Sequence, residues 1–243
     1  MRNLTKLICG AFILYTTSYA DGLKECKGKE DKIKGCIEIR YNEEDLGEGT
    51  IVKERYEAPY KNGVKEGIER KYSGYDGGEY LSAETPYKNG KKEGIEKQYH
   101  PDESLFIESL YTNDKREGIT KFYYENGNLW RELPFKDDEL NGVLIEYYEN
   151  ENLQKETPLK NGKIEGIAKE YHKNGNLLAE TLYKNNEKES IAKIYRENGS
   201  LTASITYQND KAIEGKCSNG KALTRAHLHN IENNGGSIDE ICN

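Results

Sequence analysis

The sequence predicts an all-β protein, built as an elongated, single-layer antiparallel ribbon of β-hairpins. Three observations predict this fold: a unit that recurs about every 24 residues, short segments in which apolar and polar residues alternate, and Asn-Gly turns between those segments. The spacing of the unit is 27 residues once and 24 residues thereafter. Each unit begins with an anchor that is aromatic or aliphatic: Tyr60, Tyr87, Tyr111, Phe135, Leu159, Tyr183 and Tyr207.

The N-terminus predicts a secretory signal peptide at residues 1–20. Arg2 and Lys6 precede an apolar run over residues 7–14, and Ser18-Tyr19-Ala20 presents the small residues that a signal peptidase recognises. This apolar run is about half of the ~20 residues that a membrane-spanning helix needs. We therefore expect cleavage after Ala20 rather than a membrane anchor.

The charge of the chain limits its partners. Cleavage removes Arg2 and Lys6, which lowers the formal net charge from −7 to −9. A negative surface repels nucleic acid and anionic lipid headgroups. We therefore expect no nucleic-acid partner and no membrane insertion after cleavage, with the exported protein located in the periplasm, at the cell surface or outside the cell.

Four cysteines remain after the predicted cleavage, and they lie near the two ends of the chain: Cys26, Cys36, Cys217 and Cys242. An even number of cysteines in an exported protein usually forms disulfides. Of the three possible connectivities we favour pairing within each end, because a repeat array holds its ends far apart. The predicted disulfides are Cys26 with Cys36 and Cys217 with Cys242. A zinc site that combines the C-terminal cysteines with His227 and His229 has irregular spacing, and we expect neither a metal nor a cofactor.

One predicted strand of each unit carries a branched aliphatic residue and a tyrosine four positions apart, so the two share a face. The aliphatic residues stand eight positions after the anchors: Ile68, Ile95, Ile119, Val143, Ile167 and Ile191. The tyrosines stand twelve positions after them: Tyr72, Tyr99, Tyr123, Tyr147, Tyr171 and Tyr195. We expect the Tyr, Leu and Ile positions to form a thin shared core.

The other strand begins with a leucine six positions before the next anchor and carries a glutamate on the opposite face. These glutamates are Glu57, Glu84, Glu108, Glu132, Glu156 and Glu180. Equivalent glutamates are about 10 Å apart, which is too far for several of them to bind one Ca²⁺ ion. We expect each to pair with a lysine or arginine on an adjoining strand.

Two sets of turns connect the strands. Asn126-Gly127, Asn174-Gly175 and Asn198-Gly199 join the two strands within a unit, and Lys-Asn-Gly at 61–63, 88–90 and 160–162 leads into the next one. Asn and Gly supply the positive φ that tight hairpins require. The sequence therefore predicts one continuous meander of hairpins.

The ends of the chain depart from the repeat. Residues 21–59 are predicted to form a degenerate first repeat that acts as an N-terminal cap, and residues 60–215 form the regular repeats. Residues 216–243 are predicted to form a C-terminal cap. It contains a short helix or irregular turn within residues 222–233 and is bounded by the second disulfide.

The unit Tyr-x-Asn-Gly-x-x-x-Gly…Tyr-x-x-Asn-Gly-x-Leu-x-x-Glu resembles the MORN repeat, in the bacterial variant found in proteins named after the YwqK antitoxin family. The resemblance covers about residues 57–215. For the fold, it implies an extended single-layer ribbon of β-hairpins. For function, it implies an interaction scaffold.

The chain shows no arrangement of residues that predicts catalysis. His100 and His172 fall at hairpin tips, and no nucleophile with a partnering base, phosphate-binding loop or metal-binding helix is present in the sequence. We therefore expect that the protein is not an enzyme. Candidate partner contacts are residues that interrupt the repeat: Tyr75 in the Gly-rich insertion at 73–78, and Trp130.

These observations predict an exported, non-enzymatic repeat scaffold that binds an unknown protein partner in the bacterial envelope. The alternative hypothesis is an antitoxin or immunity protein that neutralises a toxin. A third hypothesis is binding of a glycan or peptidoglycan through the tyrosine face, because aromatic rings stack on sugars and bases.

Overall fold

The computed structural model describes residues 23–45, 51–75, 78–234 and 238–242. The predicted signal peptide, residues 1–20, lies outside the described residues. The chain divides into two compact units, Met1–Lys115 and Arg116–Asn243, which we call unit 1 and unit 2. Each unit consists mainly of antiparallel strands, so the all-β hairpin-repeat prediction is confirmed.

Unit 1 contains one short helix and eight strands in its described part: α1 (Lys29–Lys34), β1 (Cys36–Asp45), β2 (Ile51–Lys61), β3 (Val64–Lys65), β4 (Gly67–Tyr75), β5 (Gly78–Lys88), β6 (Lys91–Lys92), β7 (Gly94–Tyr99) and β8 (Leu105–Thr112). Each long strand pairs with the next long strand in antiparallel register. Strands β1 and β2 form an antiparallel pair at the N-terminal end of the described part of unit 1. The two-residue strand β9 (Lys115–Arg116) lies at the division between the units.

Unit 2 contains eleven strands followed by two helices in its described part: β10 (Gly118–Tyr123), β11 (Leu129–Lys136), β12 (Glu139–Leu140), β13 (Gly142–Tyr147), β14 (Leu153–Lys160), β15 (Lys163–Ile164), β16 (Gly166–Tyr171), β17 (Leu177–Lys184), β18 (Glu187–Tyr195), β19 (Leu201–Gln208), β20 (Lys211–Cys217), α2 (Arg225–Asn234) and α3 (Ile238–Cys242). The long strands pair in chain order. Both helices are too short to span a bilayer, and no helix in the described ranges has the length and apolar composition that crossing a membrane requires.

The turns that lead from one unit of the repeat to the next have positive φ at both central residues. Asn89 and Gly90 have φ of 52° and 81°, and Asp137 and Asp138 have φ of 52° and 69°. These angles are typical of type I′ turns, which match the right-handed twist of paired strands. Gly142 follows one of these turns with φ of 131°, where an added Cβ would lie 3.0 Å from Cβ of Pro134. Turn geometry and close packing therefore both require glycine there.

A β-bulge recurs near the end of each hairpin. In unit 2, Phe122 pairs with Arg131 and Tyr123 pairs with Leu129, so Trp130 is the extra residue of its strand. The same shift follows Glu146, Glu170 and Ile194. A bulge bends the strand and increases its twist. The bulge therefore recurs at equivalent positions of the β10–β11, β13–β14, β16–β17 and β18–β19 hairpins.

The prediction that the aliphatic residues eight positions after the anchors belong to the core is wrong. Ile167 is 53% exposed, whereas the next residue, Ala168, is 6% exposed. The same pattern holds at Ile119 and Thr120. Alternation shows which residues share a face but not which face is covered. In these hairpins the face of the anchors is the covered one: Ala168 and Phe135 are 6% and 7% exposed, and cations lie over the Phe135 and Tyr207 rings.

A cluster of buried hydrophobic residues lies between the last strands of the repeat and the C-terminal cap. Its members are Ala192, Ala203, Ile205, Tyr207, Cys217, Leu223, Leu228 and Cys242. Of the two alternatives predicted within residues 222–233, a short helix or an irregular turn, the structure has the helix, α2, which packs against β20. The two helices therefore cover residues of the last two strands, which have no following repeat to cover them.

Both predicted disulfides are present with the predicted pairing. Cys26 bonds to Cys36 and Cys217 bonds to Cys242. Disulfides are typical of proteins in a non-reducing compartment. Helix α1, which the sequence analysis did not predict, lies between the first two cysteines, and its Ile33 carbonyl accepts a hydrogen bond from the Asn62 amide.

Candidate interaction surface

An exposed row of aliphatic side chains crosses the strands of unit 2 on the face opposite the anchors. We call it the aliphatic row, and its members are Ile119, Val143, Ile167, Leu182 and Ile191. They are 45%, 44%, 53%, 37% and 53% exposed. Ile167 and Leu182 are cross-strand neighbours, and Pro134 and Pro158 occupy the positions opposite Ile119 and Val143. Pro134 is buried and Pro158 is partly buried, so the exposed members recur about once per hairpin, at intervals of about 10 Å, except where Leu182 lies beside Ile167.

Three lysines border the aliphatic row on the side of the type I′ turns: Lys136, Lys160 and Lys184. Each stands two residues after the proline or leucine of the row in its strand, so it lies on the same face. All three are exposed, and none forms an ion pair with a described residue. We call this border the lysine flank. Strand pairing places Glu139 opposite Lys136 and Glu187 opposite Lys184, whereas Lys160 stands opposite Lys163, so this border carries charges of both signs.

The opposite border of the aliphatic row carries charges of both signs. Cross-strand pairing places Lys121 beside Glu132, Glu156 beside Lys169, and Glu180 beside Lys193. The Lys193 ammonium lies 2.9 Å from the Glu180 carboxylate. This border, which we call the mixed row, is close to neutral.

Tyrosine hydroxyls donate hydrogen bonds to glutamate carboxylates of the mixed row. Tyr171 donates a hydrogen bond of 2.7 Å to Glu156, and Tyr195 donates one of 3.1 Å to Glu180. In unit 1 Tyr99 donates to Glu84 at 3.0 Å, and the Arg70 guanidinium lies 3.0 Å from the same carboxylate. The prediction that these glutamates pair with cations is confirmed at Glu84 and Glu180. Their hydrogen bonds to tyrosine were not predicted.

Burial and these hydrogen bonds shift the pKa values of the groups involved. Burial, followed by the hydrogen bond to Glu156, raises the pKa of Tyr171 to about 12. Burial and the bond to Glu84 likewise raise the pKa of Tyr99 to about 12. The hydrogen bond from Lys193 holds the pKa of Glu180 below its ordinary value. At neutral pH Tyr99 and Tyr171 are therefore protonated donors, and Glu180 is a charged acceptor.

We expect alkaline pH to destabilise the hairpins as these tyrosines ionise. The folded pKa of Tyr171 is raised from 10.0 to about 12, so its contribution to stability is fully present below pH 10 and is lost as the pH rises through 12. Tyr171→Phe should therefore reduce the loss of thermal stability over that pH range. Circular dichroism melting at each pH measures this loss. Tyr41→Phe, at an exposed tyrosine in β1, is the matched control and should leave the pH dependence unchanged.

The opposite face of the sheet is occupied by the anchors and by cations. In unit 2 the Arg116 guanidinium lies 4.0 Å from the centroid of the Phe135 ring, and the Lys188 ammonium lies 5.0 Å from that of Tyr207. In unit 1 Lys92 lies 4.6 Å from the Tyr111 ring and forms an ion pair with Glu96. A cation stacked on a ring occupies the surface that a sugar would use.

Neither candidate contact residue predicted from the sequence is a member of the aliphatic row. Trp130 is partly buried at its bulge, 6.2 Å from the Phe122 ring and 5.9 Å from the Tyr124 ring. The Arg131 guanidinium lies 4.6 Å from its centroid. Trp130 therefore covers neighbouring aromatic side chains, and its contact with a partner stays a prediction. The side chain of Tyr75 lies outside what the structure describes.

His172, at a hairpin tip, forms a hydrogen bond with the backbone of the next hairpin. Nε2 of His172 lies 2.9 Å from the Tyr195 carbonyl oxygen. At the same position of the preceding hairpins, the Tyr124 and Tyr148 hydroxyls donate to the carbonyls of Tyr147 and Tyr171. His172 therefore occupies a position that links adjacent hairpins. In the C-terminal cap the disulfide occupies both sulfur atoms of the zinc site considered above.

Sequence reasoning identified Ile119, Val143, Ile167 and Ile191 but assigned them to the core, and it did not identify Leu182. It did not identify the lysine flank. The signal available in the sequence was the recurrence of lysine directly after the anchor, at Lys136, Lys160 and Lys184. The recurrence becomes informative only when strand pairing shows that these lysines lie beside the exposed aliphatic side chains.

Comparison with known families supports the repeat assignment. A family model described as MORN repeat variant matches four consecutive segments: residues 92–113, 116–137, 140–161 and 164–185. The segments begin 24 residues apart, as the anchors do. No curated protein matches the chain. The chain therefore contains four tandem MORN-type repeats, and three of them lie in unit 2.

Proposed function

We propose that this chain of MORN-type repeats is an exported, non-enzymatic scaffold that binds a protein partner in the bacterial envelope through the aliphatic row of unit 2. The observation that carries the proposal is the exposure of aliphatic side chains at equivalent positions of consecutive hairpins. Soluble proteins rarely expose contiguous apolar surface, and such surface marks interaction sites. The two disulfides support export, because disulfides persist in oxidising compartments.

The repeat also explains how such a surface remains stable without a second layer. The opposite face is covered by its own anchors and cations, and the turns and bulges are satisfied by hydrogen bonds between hairpins. The aliphatic row is therefore not needed to cover another part of unit 2. Its side chains are available to a partner.

A photo-crosslinking experiment tests this proposal. A photoreactive amino acid placed at Ile167 in the full chain should form a covalent adduct with a specific protein in cells that produce this chain. The same amino acid placed at Ile213, which is 56% exposed in β20 outside the aliphatic row, is the control and should not form that adduct. Equal labelling at both positions, or no protein adduct at Ile167, would contradict the proposal.

Substitution provides a second measurement once the adduct identifies a partner. The double variant Val143→Asp and Ile167→Asp should bind that partner at least about tenfold more weakly, because charge is placed in the centre of an apolar contact. Its thermal stability should change little, since both side chains are about half exposed. Ile213→Asp should retain affinity. Weak binding by the control variant as well would show that the effect is not specific to the row.

The immunity hypothesis is a special case of this proposal, because a toxin is a protein ligand. A toxin gene beside the gene for this chain, lethal unless the chain is present, would support it. Glycan binding is a separate hypothesis. An array of envelope glycans and isolated peptidoglycan tests it, and it predicts binding that survives the double substitution in the aliphatic row.

A further inference from the structure

We infer that the outer edge of β20, the side away from β19, is a latent surface for pairing with β20 of a second copy of this chain. The C-terminal cap of unit 2 blocks this edge. The inference does not depend on the aliphatic row. It is supported by the place of β20 in the repeat, by the contacts of the cap along the edge, and by the charges of the strand.

In unit 2 the strands equivalent to β20 pair with a neighbour on each side. β13 pairs with β11 and β14, β16 pairs with β14 and β17, and β18 pairs with β17 and β19. β20 pairs with β19 on one side, and the cap follows it in the chain. The edge of a strand presents amide and carbonyl groups that can pair with another chain. The outer edge of β20 therefore needs a cover if the chain is to stay unassembled.

The segment directly after β20 covers one part of this outer edge. The Leu223 amide donates a hydrogen bond of 2.8 Å to the Gly215 carbonyl, and Ala222 forms an antiparallel bridge with Lys216. These contacts occupy backbone groups to which a following strand would bind. This part of the cap therefore takes the place of a neighbouring strand.

A side chain from α2 covers the beginning of the same edge. In the preceding repeats, the fifth residue after an anchor donates its amide to a side chain in the next turn: Arg116 to Asp138, Ile164 to Asn186 and Lys188 to Asp210. Ala212 is the fifth residue after the anchor Tyr207, and its amide donates to the Glu232 carboxylate. Glu232 therefore supplies the acceptor that a further repeat would supply.

The end of the chain makes an equivalent substitution at the tip of the last hairpin. Asn174, the third residue of its tip, donates from Nδ2 to the Glu197 carbonyl of the next hairpin at 3.0 Å. Asn219 has the same place in the tip formed by residues 217–221, and it donates from Nδ2 to the Cys242 carbonyl at 3.3 Å. The disulfide between Cys217 and Cys242 holds this carbonyl at the tip. The disulfide therefore fastens the cap in the position of a missing hairpin.

The N-terminal cap of unit 1 replaces a repeat in the same way. Within the repeats of unit 1, the Lys92 ammonium lies 4.6 Å from the Tyr111 ring, and the Lys92 carbonyl accepts a hydrogen bond from the next turn. In α1, the Lys32 ammonium lies 4.2 Å from the Tyr60 ring, and its carbonyl accepts a hydrogen bond from the Gly63 amide. Each cap therefore supplies groups that a neighbouring repeat supplies elsewhere.

The charges of β20 favour a second β20 strand as the occupant of the edge. Glu214 and Lys216 are both exposed, and they lie on either side of the buried Gly215. In an antiparallel pair of two β20 strands centred on Gly215, Glu214 of each copy stands opposite Lys216 of the other. Opposite charges at directly opposed positions stabilise a strand pair. The contact is the same for both copies, so it closes as a dimer with two-fold symmetry.

Opening the cap in the full chain tests the inference. The triple variant Cys217→Ser, Cys242→Ser and Glu232→Ala removes the disulfide and the side-chain acceptor. We expect its molar mass, measured by light scattering at a common concentration, to be twice that of the parent chain. The control is Ile205→Ala with Asp210→Ala, which also destabilises unit 2 and removes an equivalent acceptor but leaves every contact of the cap with the β20 edge. Its mass should equal that of the parent.

Charge reversal identifies the strand that pairs. Added to the triple variant, Lys216→Glu places like charges opposite each other twice in the dimer and should weaken dimerisation about tenfold. Exchanging the two charges, with Glu214→Lys and Lys216→Glu together, should restore it. Sedimentation equilibrium measures the dissociation constants, and circular dichroism verifies that each variant is folded.

Three outcomes would overturn the inference: a folded triple variant with the mass of the parent, an equal rise in mass in the control, and a dimer that Lys216→Glu leaves unchanged. Should the triple variant fail to fold, Glu232→Ala with the disulfide intact replaces it. This milder opening should shift the equilibrium towards the dimer, and an unchanged mass over the accessible range of concentration would likewise reject the pairing surface.

Discussion

Replacing Ile205 with alanine is expected to lower the free energy of unfolding of unit 2 by about 2–5 kcal/mol, the range for truncating a fully buried aliphatic side chain. Ile205 is 0% exposed in β19 and belongs to the buried cluster of the C-terminal cap. The substitution should leave a cavity between the sheet and the cap. Leu223 and Leu228 are held in place by the segment after β20, so they do not fill the space that the Ile205 side chain leaves. Denaturant unfolding monitored by circular dichroism measures the effect.

A matched control distinguishes cavity formation from a general effect of substitution in these strands. Ile213→Ala lies in the neighbouring strand β20, where the side chain is 56% exposed. Its expected effect is within about 0.5 kcal/mol. Comparable destabilisation by the two variants would contradict the assignment of the core to the C-terminal cap, as would an unaltered stability of Ile205→Ala.

Removing the second disulfide is expected to be the other large effect. The double variant Cys217→Ser and Cys242→Ser should lower stability by about 3 kcal/mol, because the bond closes a loop with a sequence separation of 25 residues. Both cysteines are buried, at 2% and 3% exposure, so the serine hydroxyls would also be placed in an apolar cluster. The last strands and helices should therefore lose protection first.

Hydrogen exchange locates this effect. In the double variant, backbone amides of β19 and β20 should exchange faster, whereas those of β10 and β11 should be less affected, because a repeat array is stabilised mainly by nearest-neighbour contacts. The variant Cys26→Ser and Cys36→Ser is the control, since its shorter separation of 10 residues lies at the other end of the chain. Uniform acceleration across unit 2 would contradict a local role for the C-terminal disulfide.

The hairpins, their turns and the ends of the chain could be predicted because they depend on neighbouring residues. Positive φ at Asn89 and Gly90 follows from local backbone preferences, and a tight turn then sets the pairing of its two strands. The disulfides followed from the expectation that a repeat array separates its ends. The C-terminal helix was also predicted, from the approximately helical spacing of its apolar residues.

The covered face and the interaction surface required strand pairing. Alternation places Ile167 and Tyr171 on one face but gives no information about what lies above either face. The structure shows that cations stacked on the anchor rings cover the other face, and this leaves Ile167 exposed beside Lys160 and Lys184. These residues lie on different strands, and their proximity results from hydrogen-bonded register rather than from local sequence. The repeat period thus follows from the order of residues, whereas the exposed aliphatic row and its lysine flank follow from which strands pair and which face their side chains cover.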